Sequence, residues 1–233
     1  MRLRKAWMLL LLCCGPVQHA GAQLSGSVAL VSDYVYRGVS LSDGAPAPQL
    51  NLNYDGAQGW YVGGFASRFK LQDDTRSGVQ HIAYAGYARR LGSGLTLDGG
   101  LSRYGYTRAS GLNFNEFYGS LAGDNLSARV SFSPDYLGQR ARTAYLELNA
   151  NYALGASYSL YLHAGSFNYL SGAPLYSRSH TLDGRVGLGT AWAGLRWQVA
   201  WAVREGRRGS YASAYDASPG SHSSLILSAT RPF

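Results

Sequence analysis

From Leu24 onward, apolar residues return at every second position, and no stretch of ten residues shows a convincing 3.6-residue period. Leu126, Ala128, Val130 and Phe132 alternate with Ser127, Arg129, Ser131 and Ser133. Leu146, Leu148, Ala150, Tyr152 and Leu154 alternate with Tyr145, Glu147, Asn149 and Asn151. Leu195, Trp197, Val199, Trp201 and Val203 alternate with Arg196, Gln198, Ala200, Ala202 and Arg204. Side chains of a strand point to opposite faces in turn, so each segment reads as a strand with one apolar and one polar face. Any half-buried antiparallel sheet would share this property.

The connections narrow the choice. Twelve strands are predicted near 24–36, 47–55, 60–69, 79–90, 95–106, 115–121, 126–133, 142–154, 158–169, 180–192, 195–205 and 222–233. Even-numbered strands end in short turns: DGAQG, LGSG, AGDN, LGAS and WAG. Odd-numbered strands end in long polar connections, from RGVSLSDGAPAP to EGRRGSYASAYDASPGS. Such sorting gives the sheet one tight end and one elaborate end. Transmembrane β-barrels have this asymmetry and an even strand count, with strands of about ten residues. The predicted fold class is therefore all-β: a transmembrane antiparallel β-barrel of twelve strands.

The chain opens MRLRK, then AWMLLLLCC, then GPVQHAGA. A basic start, a short apolar run and small Ala20 and Ala22 predict a cleaved secretory signal peptide over 1–22, leaving one barrel domain over 23–233. A lipid anchor on Cys13 or Cys14 is disfavoured by the residues that precede them. Cleavage removes both cysteines, so disulfide and thiolate chemistry are excluded from the mature chain. Thirty glycines, eighteen tyrosines and 15% charged residues suit a surface that does not face water. Of the formal charge of +8, Arg2, Arg4 and Lys5 contribute three, leaving about +5. Lys70 is then the only lysine and the arginines are scattered, so no nucleic-acid footprint is expected.

The last residues, SSLILSATRPF, place Leu225, Leu227, Ala229 and Phe233 on one face, interrupted by Arg231. This resembles the C-terminal targeting strand of bacterial outer-membrane proteins, which implies recognition by the barrel-assembly machinery. Tyr54, Trp60, Tyr158 and Trp192 lie near the short turns, where a barrel carries its inner aromatic girdle.

The segment SDYVYRGVSLSDGAPAPQ, with Ser32, Asp33, Tyr34, Tyr36, Arg37, Gly38, Val39, Ser40, Ser42, Pro46, Ala47 and Gln49, carries a more specific signal. It resembles the N-terminal hallmark of a proteobacterial family first catalogued as conserved hypothetical proteins and often called TorF-type porins. GWYVGGFAS (59–67) resembles that family's next strand, while Pro48 departs from the pattern. The resemblance implies an outer-membrane barrel with a pore function in a Gram-negative cell. It supplies no solute and no catalytic residues.

With the apolar face toward lipid, the predicted lumen set includes Asp33, Arg37, Asp98, Glu116, Arg129, Glu147, His163, Asp183, Arg185, Arg196 and Arg204. Five carboxylates and five arginines make a lumen of mixed sign. Such groups either line a narrow path for small polar solutes or pair across the lumen and plug it; a twelve-stranded barrel falls between the filled and open sizes. On the first reading, Asp33 and Arg37 sit on the wall of the first strand, with Tyr34 and Tyr36 outward. No cofactor, metal site or enzyme activity is expected: Ser179–His180 and Ser221–His222 are adjacent on a strand and point apart. Asp73 and Asp74 read first as solvated charges of an outer loop; the alternative is contact with a cation or with the divalent ions bridging lipopolysaccharide. The expected partners are outer-membrane lipid and small polar solutes, and the competing role is a non-conducting structural or adhesion barrel.

Overall fold

The computed structural model describes residues 22–70, 77–173, 179–205 and 222–233. Residues 1–21 of the predicted leader, Asp73, Asp74 and Ser221 lie outside the described residues. In chain order the strands are β1 (Gln23–Val31), β2 (Val35–Tyr36), β3 (Val39–Ser40), β4 (Ala47–Asp55), β5 (Trp60–Lys70), β6 (Ser77–Arg90) and β7 (Thr96–Tyr106). They continue with β8 (Phe114–Ala122), β9 (Leu126–Tyr136), β10 (Ala141–Leu154), β11 (Tyr158–Ser171), β12 (His180–Trp192), β13 (Leu195–Arg204) and β14 (His222–Pro232).

Twelve of these strands form one closed antiparallel barrel in which each pairs with its barrel neighbours and β14 returns to β1. The fold class read from the alternation holds. Closure leaves no sheet edge, so every strand finds backbone partners on both sides, as a spanning sheet in lipid requires. At the seam, Gly26 and Phe233 exchange both backbone hydrogen bonds at 2.9 Å. The Phe233 ring covers Gly26, where a Cβ would sit 2.7 Å from it.

Burial is inverted relative to a soluble domain. Leu30, Leu101, Phe117, Val130, Leu146, Leu188, Trp201, Leu225 and Leu227 are exposed on the outer surface. Trp60 and Trp192, at the short-turn end, are 64% and 70% exposed, beside Tyr54, Tyr158 and Trp197. That belt matches the position of an interfacial aromatic girdle.

One expected strand is shorter than the alternation implied. β1 stops at Val31 rather than reaching residue 36, because its pairing to β14 ends at Ser32. The Ser32 N–H donates to the Leu227 carbonyl at 2.8 Å, and the Leu227 N–H donates to the Ser32 hydroxyl at 2.9 Å. Residues 33–42 then turn inward, and β2 and β3 pair only with each other. Alternating residues suit a small hairpin as well as a wall strand, which is why the pattern did not separate them.

Candidate solute chamber and its plug

The inward hairpin turns on Arg37 and Gly38, both at positive φ (50° and 74°). A two-residue turn of this kind matches the twist of its strands but is strained for a residue with a side chain. The Arg37 guanidinium donates to both Glu116 carboxylate oxygens at 2.8 Å. Their side chains are 5% and 3% exposed. Arg37 also lies over the rings of Tyr36 and Tyr145, 4.8 and 4.3 Å from their centroids. Gly38 is confined: a Cβ would stand 2.8 Å from the Cβ atoms of Arg204 and Asp183. A buried bidentate pair fixes geometry, and removing one partner strands the other charge.

Asp33 secures the hairpin's base. Its Oδ1 accepts the Ser40 hydroxyl at 2.5 Å and the Ser42 hydroxyl at 3.1 Å, while the Ser42 hydroxyl accepts the Tyr34 N–H at 2.8 Å. The Tyr34 hydroxyl donates to Gln80 at 2.6 Å, and Gln80 donates in turn to the Tyr106 hydroxyl at 2.7 Å. Tyr34 and Tyr36 therefore pack inside the barrel, which corrects their expected outward placement. Asp33 and Arg37 do not share a wall strand; both belong to the hairpin.

Aromatic side chains from the wall complete the closure. Tyr104 stacks on Phe114 at 4.3 Å and 3°, Phe114 meets Tyr136 at 4.8 Å, and Tyr136 meets Phe167 at 5.1 Å. Phe69 packs edge-on to Tyr106 at 5.4 Å. With Tyr34, Val39 and Leu41 of the hairpin they form one buried cluster. All these wall residues lie within a few positions of the long connections. The lumen is thus filled at its long-loop end.

Beneath the plug lies a cavity of about 700 Å³ that reaches the short-turn end, where Asp55 and Arg185 are exposed. Asp98, Glu116, Arg129, Glu147, His163, Asp183 and Arg185 line it, with Arg37 in its roof. Asp98 accepts the Tyr61 and Ser120 hydroxyls. Arg129 lies 3.8 Å over the Tyr118 ring. The His163 ring meets Asn149 at 2.7 Å through Nδ1, and Asp183 at 3.0 Å and Tyr145 at 3.1 Å through Nε2. Three predicted residues stand apart from this set. Asp33 is buried in the plug, Arg204 is buried beside its register partner Asp183, and Arg196 is exposed near the short-turn end of β13.

Sequence reasoning placed Tyr145 on the polar face but left the inward tyrosines out of the lumen set. The signal was strand parity: Tyr104 is two residues from Ser102, Tyr118 two from Glu116, and Tyr145 two from Glu147. Inward glycines give these rings space along the wall. A Cβ at Gly63 would strike Tyr84, one at Gly86 would strike Tyr61, and one at Gly165 would strike Tyr145. Part of the abundance of glycine and tyrosine comes from this packing of inward rings against inward glycines.

A closed barrel with a lipid-facing exterior and a charged interior chamber defines a porin-like β-barrel. Two solved porins share the fold. The NanC porin aligns with a TM-score of 0.60 at 12% identity, covering 90% of this chain and 99% of the other. The KdgM porin aligns with a TM-score of 0.53 at 12% identity, with the same coverage. A comparison with curated protein sequences found no match. Residues 17–233 match the profile of Gcw_chp, a bacterial protein family of unknown function, and the chain belongs to that family.

Proposed function

We propose that this protein is a narrow porin in the outer membrane of a Gram-negative bacterium, passing small polar solutes by passive diffusion, with the 33–42 hairpin closing its resting path. The observation that carries this reading is the charged 700 Å³ chamber inside a porin-like barrel, stopped at one end by a local hairpin packed against inward aromatic side chains of the wall. The resemblance of the opening motif to TorF-type porins supports the same class. Transfer needs no chemistry: width excludes large solutes, and charges of both signs bias which small ones enter. The hairpin opens the path by withdrawing Arg37 from Glu116. Leu225, Leu227, Ala229 and Phe233 on β14 present the face that the assembly machinery would read.

A second reading, a non-conducting structural barrel, draws on the same ion pair. Its burial makes the plug costly to displace. Planar-bilayer recording of the detergent-purified mature chain separates the two. Discrete current steps, closed most of the time, support the gated porin; a heat-modifiable, folded barrel that never conducts supports the structural barrel.

A further inference from the structure

The outer surface of the barrel changes character abruptly at the long-loop end of β7–β10. Leu101 on β7, Phe117 on β8, Phe132 on β9 and Leu146 on β10 are exposed and apolar. One outward position further, Arg103 follows Leu101; on β10, Arg142 follows Ala144 and Leu146. Both arginines are exposed. Register aligns them across the four strands: Arg103 pairs with Asn115, Phe117 with Phe132, and Phe132 with Ala144. Three strand spacings separate β7 from β10, about 14 Å.

Arg103 is oriented but not neutralised. Its Nη1 donates to the Asn115 amide oxygen at 3.1 Å. The His81 ring lies beside it over Gly105, where a Cβ would strike the imidazole. Arg142 has no hydrogen-bond or ion-pair partner among the described residues. Exposed Arg108 and Arg140 extend the patch in the adjoining loops, which touch where Gly138 approaches the Gly111 carbonyl. Asp135 is the one exposed carboxylate on this arc among the described residues, and its Oδ1 accepts the Arg140 N–H at 2.6 Å.

A lipid-facing arginine costs about 2–4 kcal/mol at the bilayer midplane and about 0–1 kcal/mol near the interface. An apolar band ending in unneutralised arginines fits a ligand with acyl chains below and anions above. Guanidinium groups bind phosphate through paired N–H donors, which an ammonium does not match. We infer that the β7–β10 rim binds the phosphate groups of lipid A in the outer leaflet, with Arg103 and Arg142 as the principal contacts. This inference rests on the outer-membrane reading above. A free solute would not need the acyl surface, so the occupant is the lipid.

The test measures binding of fluorescent lipid A to the folded barrel in zwitterionic micelles. Heat-modifiable migration verifies the fold separately, so failure of the membrane reading is distinguishable from failure of this one. Bisphosphorylated lipid A is expected to bind about tenfold more tightly than the dephosphorylated form. The double variant R103Q/R142Q should lose about the same factor, and R103K/R142K should recover only part of it. R89Q/R90Q, which removes equal charge at the short-turn end, should bind as the wild type does. Equal binding of the two lipid forms by the wild type overturns the proposal without recourse to any variant. A loss in R89Q/R90Q as large as in R103Q/R142Q overturns it as well.

Discussion

The two halves of the lumen are built from the same strands yet solve different problems. At the long-loop end, Phe69, Tyr106, Phe114, Tyr136 and Phe167 point inward, and the hairpin supplies Tyr34, Val39 and Leu41 to cover them. At the short-turn end the same inward phase carries Asp55, Asp98, Arg129 and Arg185 around open space. One half is a packed core inside a barrel; the other is a solvated chamber. On the proposed porin function, stability resides in the plugged half and selectivity in the chamber, and substitutions should divide along that line.

Glu116 joins the halves, and its loss should have the largest effect. Glu116→Ala leaves the Arg37 guanidinium without its carboxylate, costing hairpin docking about 3–5 kcal/mol. Single-channel recording should then show mostly open rather than mostly closed traces. In the plug itself, Phe114→Ala should cost about 3–5 kcal/mol. Urea unfolding in micelles checks this, with Tyr84→Phe in the chamber as a comparison expected to lose less than half as much. Gly38→Ala places a methyl at positive φ and against Arg204 and Asp183, loosening the hairpin by about 1–3 kcal/mol. Protease sensitivity of the 33–42 segment from the outer side should rise accordingly. The smallest structural effect belongs to Arg185→Glu in the open chamber. It should leave the unfolding midpoint within the equivalent of about 1 kcal/mol and shift reversal-potential selectivity toward cations.

Much of the wall was legible in the sequence because lipid and lumen impose opposite preferences on alternate residues. The run Leu195 to Arg204 shows this parity without interruption, and β13 occupies those residues with only the final Glu205 excluded. The long β10 and β11 were equally plain, since Leu146, Leu148, Leu160 and Leu162 share the outward phase. The plug was not legible for a physical reason. Tyr34 and Tyr36 alternate with Asp33, Val35 and Arg37 as in a wall strand, and only Arg37–Gly38, where the phase switches to Val39 and Leu41, marked a turn. Arginine is uncommon at positive φ, and here its strain is offset by a partner 79 residues away. Nothing local announces Glu116. The chamber's charged residues were readable from parity, whereas Asp33 was misplaced because it was assigned to a strand that ends at Val31.

The same contrast separates the motif from the rest of the chain. Ser32, Asp33, Tyr34, Tyr36, Arg37, Gly38 and Ser40 each make a defined contact within the plug or at its hinge with β14. The residues that carry the resemblance thus belong to the plug more than to the wall. Pro46 stands just before β4, and Gln49 points inward on it, so the motif ends where the wall resumes.

The central claim is that residues 33–42 close the outer end of a solute path. Planar-bilayer conductance tests it most directly, comparing the wild-type barrel with a variant in which 33–42 is replaced by a flexible Gly-Ser linker of equal length. Both proteins should first show heat-modifiable folding. The account predicts brief, infrequent openings for the wild type and stable, long-lived steps for the variant. Equal conductance of the two, or no conductance from the folded linker variant, would contradict it.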